Sequence, residues 1–260
     1  TARRHVRRSS PPSISRDRAP DAAMSAGEFD LIARIRARAG TRADIVLGIG
    51  DDAALLAPPP GLQLVVTADT LNAGVHFPED SAAADIGWKA LAVNLSDLAA
   101  MGAEPAWCTL SLSLPRSDAA WIDGFLDGFL DLAGRHGIAL VGGDTTRGPL
   151  SISVTAMGLV EPGRGLRRDG AGVGDDVWVT GTLGDAAGGL VLLDREPAHA
   201  LRARLDRPTP RVEAGRALRG IATACVDISD GLLADLGHIS SRSGVGAQVD
   251  IDALPASDAL

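Results

Sequence analysis

At 260 residues, 45% hydrophobic and 22% charged, the chain is long enough for two ordinary domains around a real core. No apolar run approaches the ~18–20 residues of a membrane-spanning helix, which argues against a transmembrane reading. The formal net charge of −8 hides a basic end: residues 1–24 carry six arginines against Asp17 and Asp21, so the rest is near −12. A body that acidic is a poor nucleic-acid binder, because phosphate backbones need clustered Lys and Arg.

In chain order, residues 1–24 hold Arg, Ser and Pro without apolar periodicity and read as a disordered basic extension ahead of a natural start at Met24. They lack the apolar stretch of a secretory signal. Ser25 and Glu28 have capping-box spacing, and Phe29, Leu31, Ile32 and Ile35 follow on one helical face. Leu62–Thr67 reads as a strand ending at Asp69, Asp85–Met101 as a long apolar helix and Trp107–Leu114 as a strand. Ser117 is the expected cap of a helix with the stripe Trp121, Ile122, Phe125, Leu126 and Phe129, stopped at Gly137. Ile138–Val141 and Ser151–Val160 read as strands around a G-G-D-T-T-R-G turn (142–148).

A Pro/Gly/Arg stretch over 161–172 marks a domain junction. Beyond it the pattern predicts a strand over Asp176–Thr180, helices over Asp185–Arg195, Arg211–Leu218 and Leu232–Ser240, and a last strand over Ala247–Ile251. The expected division is therefore the extension 1–24, an N-terminal domain 25–160 and a C-terminal domain 161–260 that stops as a new element begins. Alternating strands and helices point to α/β or α+β architecture, not a bundle or sandwich.

Carboxylates recur beside glycines: G-I-G-D-D (48–52), T-A-D-T (67–70), G-G-D-T-T-R-G and D-I-S-D-G (227–231). Oxygen ligands suit Mg²⁺, and glycine lets backbone approach a phosphate. Asp51 and Asp52 could share cations with Asp69. The second G-x-G-D-D, at 172–176, most simply makes a turn before a strand. Asp97 lies three residues after Asn94 in an apolar helix; taken alone, a structural hydrogen bond explains it better than a metal.

The G-T-L-G-D-A-A-G-G-L stretch (181–190) lacks the G-K-[ST] ending of a phosphate loop. No zinc pattern or Ser/His/Asp order stands out, and the histidines are scattered. Cys108 and Cys225 are far apart and fit a reducing compartment. Like charges at 4 Å cost roughly 4 kcal/mol per pair at an effective dielectric near 20. With only Lys89, Arg147 and Arg168 near these motifs, several Mg²⁺ ions would have to bridge aspartates and phosphates.

G-E-F-D-L-I, G-I-G-D-D-A-A-L-L, T-A-D-T-L-N-A-G-V-H-F, K-A-L-A-V-N-L-S-D-L-A-A-M-G-A-E-P, G-G-D-T-T-R-G and D-I-S-D-G-L-L-A-D-L-G-H-I together resemble the thiamine-monophosphate kinase family over about residues 26–260. The family shares a superfamily with aminoimidazole ribonucleotide synthetase and selenophosphate synthetase. The resemblance implies a two-domain α+β fold, with an N-terminal sheet domain that pairs into a homodimer and a C-terminal α/β domain incomplete in this chain. It implies ATP as co-substrate, several Mg²⁺ ions, a cytoplasmic location, and phosphoryl transfer to thiamine monophosphate in thiamine diphosphate biosynthesis.

By position, Asp52, Asp69, Asp97, Asp144, Asp227 and Asp230 match the family's Mg²⁺ ligands, with Thr67 and Ala68 at neighbouring metal-shell positions. Ala68 offers only a backbone oxygen there. Gly143, Asp144, Arg168 and Ser229 match ATP contacts, and His76 matches a contact to thiamine monophosphate. The resemblance thus turns the reading of Asp97 toward a metal role. No general base is expected, because a monophosphate with a second pKa near 6 is mostly deprotonated at neutral pH.

The family also carries a G-G-E-D-Y-E segment and an aromatic that hold thiamine. Neither lies within residues 1–260, so the substrate pocket is expected to be incomplete here. The alternatives are a selenophosphate synthetase-like enzyme, a hydrogenase-maturation dehydratase-like enzyme, or a nucleotide-binding fragment without catalysis. The first would want a reactive Cys with a nearby Lys before the first Gly-rich turn, and none is there.

Overall fold

The computed structural model describes residues 22–260, with 22–29 described by backbone alone. Its elements are α1 (Ala22–Arg38), β1 (Ile45–Leu47), β2 (Leu55–Leu56), β3 (Gln63–Asn72), α2 (Ala83–Ala100), β4 (Glu104–Leu114), α3 (Ala119–His136), β5 (Ala139–Arg147) and β6 (Ser151–Val160). Then follow α4 (Asp185–Val191), α5 (Arg202–Asp206), α6 (Val212–Ala217), α7 (Leu232–Ser243) and a short 3-10 turn (Ile251–Ala253). The expected extension falls outside the described residues except for 22–24. Those three belong to α1, which therefore begins before the capping box expected at Ser25.

One four-stranded sheet organises the first half, in the order β3-β6-β4-β5. β3 and β4 each run antiparallel to β6, while β4 and β5 are parallel. A parallel pair needs a crossover, and α3 supplies it. β6 alternates as its sequence does: Ile152, Val154 and Ala156 are buried, and Ser151, Ser153 and Thr155 are only half-buried. The buried side meets Leu91, Leu95 and Leu98 of α2 and Ile122, Phe125, Phe129 and Leu132 of α3. Each fully buried Leu, Ile or Phe contributes about 1.5–3 kcal/mol relative to exposure. At Gly128 the two helices touch backbone to backbone: a methyl there would lie 1.8 Å from the Ala84 carbonyl oxygen.

Several sequence-based bounds move. β3 does not end at Asp69 but runs through T-A-D-T to Asn72, and G-G-D-T-T-R is not a turn but the second part of β5. The cap of α3 is Asp118, whose side chain accepts from the Trp121 N–H at 3.0 Å, not Ser117. Gly137 does end α3, in the left-handed region. In the second half the strands expected over 176–180 and 247–251 are not formed among the described residues; the first has no regular structure and the second runs into the 3-10 turn. V-W-V alternates like a strand, but with no partner Trp178 stands 86% exposed.

The halves meet along α2. Val212 of α6 is buried in the main core, the Trp88 Nε1–H donates to the Pro208 carbonyl at 2.8 Å, and Arg207 pairs with Asp85. Among the described residues no helix is long and apolar enough to cross a membrane.

Candidate active site

β3 presents alternate side chains to its two faces. Val65, Thr67, Asp69 and Leu71 are the more covered set, while Leu64, Val66, Ala68 and Thr70 stay exposed. Ala68 therefore keeps its side chain off the face that carries Thr67 and Asp69. Asp97, near the end of α2, accepts a hydrogen bond from the Thr67 hydroxyl at 2.5 Å, which ties helix to strand. Ser96, its neighbour, donates to Asp227 Oδ2 at 3.0 Å, bringing in the 227–231 loop. Sequence reasoning missed Ser96; its only signal was a hydroxyl beside Asp97.

These contacts set three half-buried carboxylates against one another. Burial raises the pKa of Asp69, and the charge of Asp227 raises it further, with His76 opposing. Burial likewise raises Asp97, where the Thr67 bond and Arg168 pull down and Asp69 pushes up. Asp227 is raised by burial and then by Asp97, against the bond from Ser96. Arg168 thus stands within electrostatic reach of both Asp97 and Asp227. It lines a cavity of about 540 Å³ with Thr67, Asp97, Cys225 and Arg242.

Asp52 and Asp144 lie elsewhere. With Asp51, Gly143 and Arg36 of α1 they line a larger cavity of about 1140 Å³, which brings Asp52 together with Asp144. Asp69, Val154, Leu110 and Gly143 pair in one row across the sheet. Three strand spacings, about 14 Å, therefore separate Asp69 from the G-G-D segment. Gly143 is required where it is: its φ is +153°, and a methyl would come within 1.8 Å of the Leu110 carbonyl oxygen. Arg36 was missed by the sequence reading; its guanidinium covers Gly50 in the G-I-G-D-D loop.

His76 is exposed at the end of a turn after β3. Its Nδ1 accepts from the Asn72 N–H at 3.0 Å, which leaves Nε2 as the ring nitrogen able to donate. The Lys89 ammonium donates to the His76 carbonyl at 2.8 Å, so α2 also braces this turn. Ser229 and Asp230 are exposed on the 227–231 loop, ahead of α7.

The donor set is carboxylate, hydroxyl and carbonyl oxygen, which fits a hard divalent cation, and the mutual repulsion of the half-buried aspartates favours one nearby. Among the described residues no three His, Cys, Asp or Glu side chains converge closely enough to enclose one ion. Mg²⁺ sites are commonly made of one or two carboxylates completed by water and phosphate oxygens.

The chain is an AIR synthase related protein by both of its parts. The N-terminal domain model of that family matches residues 50–160 and its C-terminal domain model residues 172–260. Thiamine-monophosphate kinase of Salmonella typhimurium is 52% identical over 91% of the chain and 75% of the relative. The crystal structure of the Stenotrophomonas maltophilia thiamine-monophosphate kinase superposes with a TM-score of 0.83 at 64% identity, covering 89% of this chain and 77% of that one. AaThiL complexed with AMPPCP and TMP gives 0.74 at 36% identity, over 89% and 74%. The chain belongs to the thiamine-monophosphate kinase family.

Proposed function

We infer that the chain transfers the γ-phosphoryl group of ATP to thiamine monophosphate, giving thiamine diphosphate and ADP. The observation that carries this reading is the carboxylate trio Asp69, Asp97 and Asp227, drawn from β3, α2 and the 227–231 loop, with Arg168 within electrostatic reach of Asp97 and Asp227. We assign Asp52, Asp69, Asp97, Asp144, Asp227 and Asp230, with Thr67 and the Ala68 backbone, to Mg²⁺ ions. Gly143, Asp144, Arg168 and Ser229 are assigned to ATP, and His76 to the acceptor.

Bound Mg²⁺ would supply charge neutralisation between two polyanions and the acidic protein surface. The protein's own part is positioning. Arg168 offers a fixed fork of donors to phosphate oxygens, and Thr67 orients the Asp97 carboxylate. His76, exposed and with Nδ1 already engaged, keeps its Nε2–H for the acceptor anion. The acceptor oxygen is already mostly ionised at neutral pH, so no side chain has to remove a proton. Alignment and electrostatics then carry the rate.

The division at 160/161 gives the N-terminal part the sheet with Asp69 and Asp144 and helix α2 with Asp97, and the C-terminal part Arg168 and the 227–231 loop. A homodimer through the N-terminal sheet suits the outer face of β3, where Leu64 and Val66 are 52% and 56% exposed. Cytoplasmic placement suits two free cysteines.

An assay of ADP release with and without thiamine monophosphate tests the activity. Release that depends on the monophosphate is the expected result. Release without it would point to another ATP-using member of the superfamily, and ATP binding without release to a binding module.

Lys89 gives a second test. Replacing it by Met removes the charged donor that braces the His76 turn. The KM for thiamine monophosphate should rise on the order of tenfold, about 1.4 kcal/mol, with kcat less affected. An unchanged KM would remove His76 from the acceptor site.

A further inference from the structure

One side chain outside the 227–231 loop gathers its backbone amides. Asp235, in the first turn of α7, is 3% exposed. Its Oδ2 accepts from three successive backbone N–H groups: Ser229 at 3.0 Å, Asp230 at 3.1 Å and Gly231 at 3.1 Å. Consecutive amides that converge on one point form a concavity suited to an anion. Here the chain fills that concavity with its own carboxylate. The amides of 229–231 are therefore spent inward, and the side chains of Ser229 and Asp230 stay exposed at the surface.

The far end of the same helix repeats the device on another segment. The Ser243 hydroxyl donates to the Arg168 carbonyl at 3.0 Å and accepts from the Ala171 N–H at 3.1 Å. α7 thus carries the loop with Asp227, Ser229 and Asp230 at its start and the Arg168 segment at its end.

We propose that Asp235 is a positioning residue for nucleotide and metal binding, one whose carboxylate locks the 227–231 backbone so that Asp227, Ser229 and Asp230 stand ready before ATP arrives. The proposal rests on the assignment of those three residues to Mg²⁺ and ATP. A carboxylate is needed because three donors share one oxygen, which a neutral amide oxygen accepts less strongly. Length matters as well as charge: one more methylene would carry the oxygen off the point where the three amides meet. Preorganisation lowers the cost of ordering the loop on binding, so its loss should fall on affinity.

Asp235→Asn and Asp235→Glu, each checked for an intact thermal transition, are the variants. Without metal or nucleotide, hydrogen exchange of the 229–231 amides should be slow in the parent chain and at least tenfold faster in both variants. Calorimetry with Mg·ATP should show affinity weakened at least tenfold in both, and the Mg²⁺ concentration for half-maximal activity should rise. Unchanged exchange, or folded variants that bind Mg·ATP within twofold of the parent, would overturn the proposal. So would a lowered melting temperature with unaltered affinity per folded molecule, which is what a purely structural residue gives. Asp230→Asn, run alongside, separates the two levels. If it is silent while the Asp235 variants lose protection and affinity, the assignment of Asp230 fails and the role of Asp235 stands.

Discussion

Asp97→Asn should lower phosphoryl transfer at least 100-fold, about 2.7 kcal/mol of transition-state stabilisation, while the protein stays folded. The amide can still accept the Thr67 hydroxyl, so the link between α2 and β3 survives and only the charge is lost. The same change should raise the melting temperature of the metal-free protein near neutral pH. Burial first, and then Asp69, hold the Asp97 carboxyl above 3.8 in the folded chain. The folded state therefore binds more protons than the unfolded one between 3.8 and the raised value. Stability from this group is complete below 3.8 and lost as pH rises through the folded pKa. At neutral pH the parent carries that cost and the variant does not, so the difference should shrink in acid. A variant that keeps more than about a tenth of the parent rate at saturating Mg²⁺ would end the metal assignment, since less than ~1.4 kcal/mol would be at stake.

Gly128→Ala should destabilise the fold by about 3 kcal/mol or more, at the upper end of overpacking costs. The new methyl meets the Ala84 carbonyl oxygen at 1.8 Å, and neither partner is a side chain that can swing away. α2 and α3 would have to separate, against the buried layer of Leu91, Leu95, Phe125 and Phe129. For a chain of this length that corresponds to a drop in melting temperature of roughly 6–12 °C. Because α2 carries Asp97, activity of the remaining folded fraction should fall too. A loss below ~1 kcal/mol in chemical denaturation would mean the helices are not held at this distance.

The elements legible in the sequence were those with strong apolar period. α2, α3, β4 and β6 carry enough large residues on one face that burial dictates their form. T-A-D-T and G-G-D-T-T-R were harder, because Asp and Gly are rare in strands and common in turns. Here the ladders to β6 and β4 override that preference, and Gly143 is in β5 because β4 lies too close for any other residue. V-W-V at 177–179 shows the converse: a strand pattern without a partner strand forms no ladder.

At the site, Asp69, Asp97 and Asp227 were legible as carboxylates, and their family positions came from resemblance to known motifs. Their mutual arrangement was not legible, since it depends on Thr67 and Ser96 reaching across elements 30 and 131 residues apart. Asp235 left almost no trace. A carboxylate in the first turn of a helix is ordinary, and three amides meeting on it is a property of the folded loop alone.

Lys89 is the only lysine among 260 residues, and it is bonded to the turn that carries His76. Burial, opposed by Asp206 and helped by Arg202, pulls its pKa below the ordinary lysine value. Selective ¹⁵N-lysine labelling of these 260 residues would give one side-chain ammonium signal, assigned without mutagenesis. Amine-directed reagents would find a single side chain on a surface whose other fixed positive charges are guanidinium groups. Whether the acceptor loosens or tightens that turn could then be read from one resonance, or from one acetylation rate, in the unaltered protein.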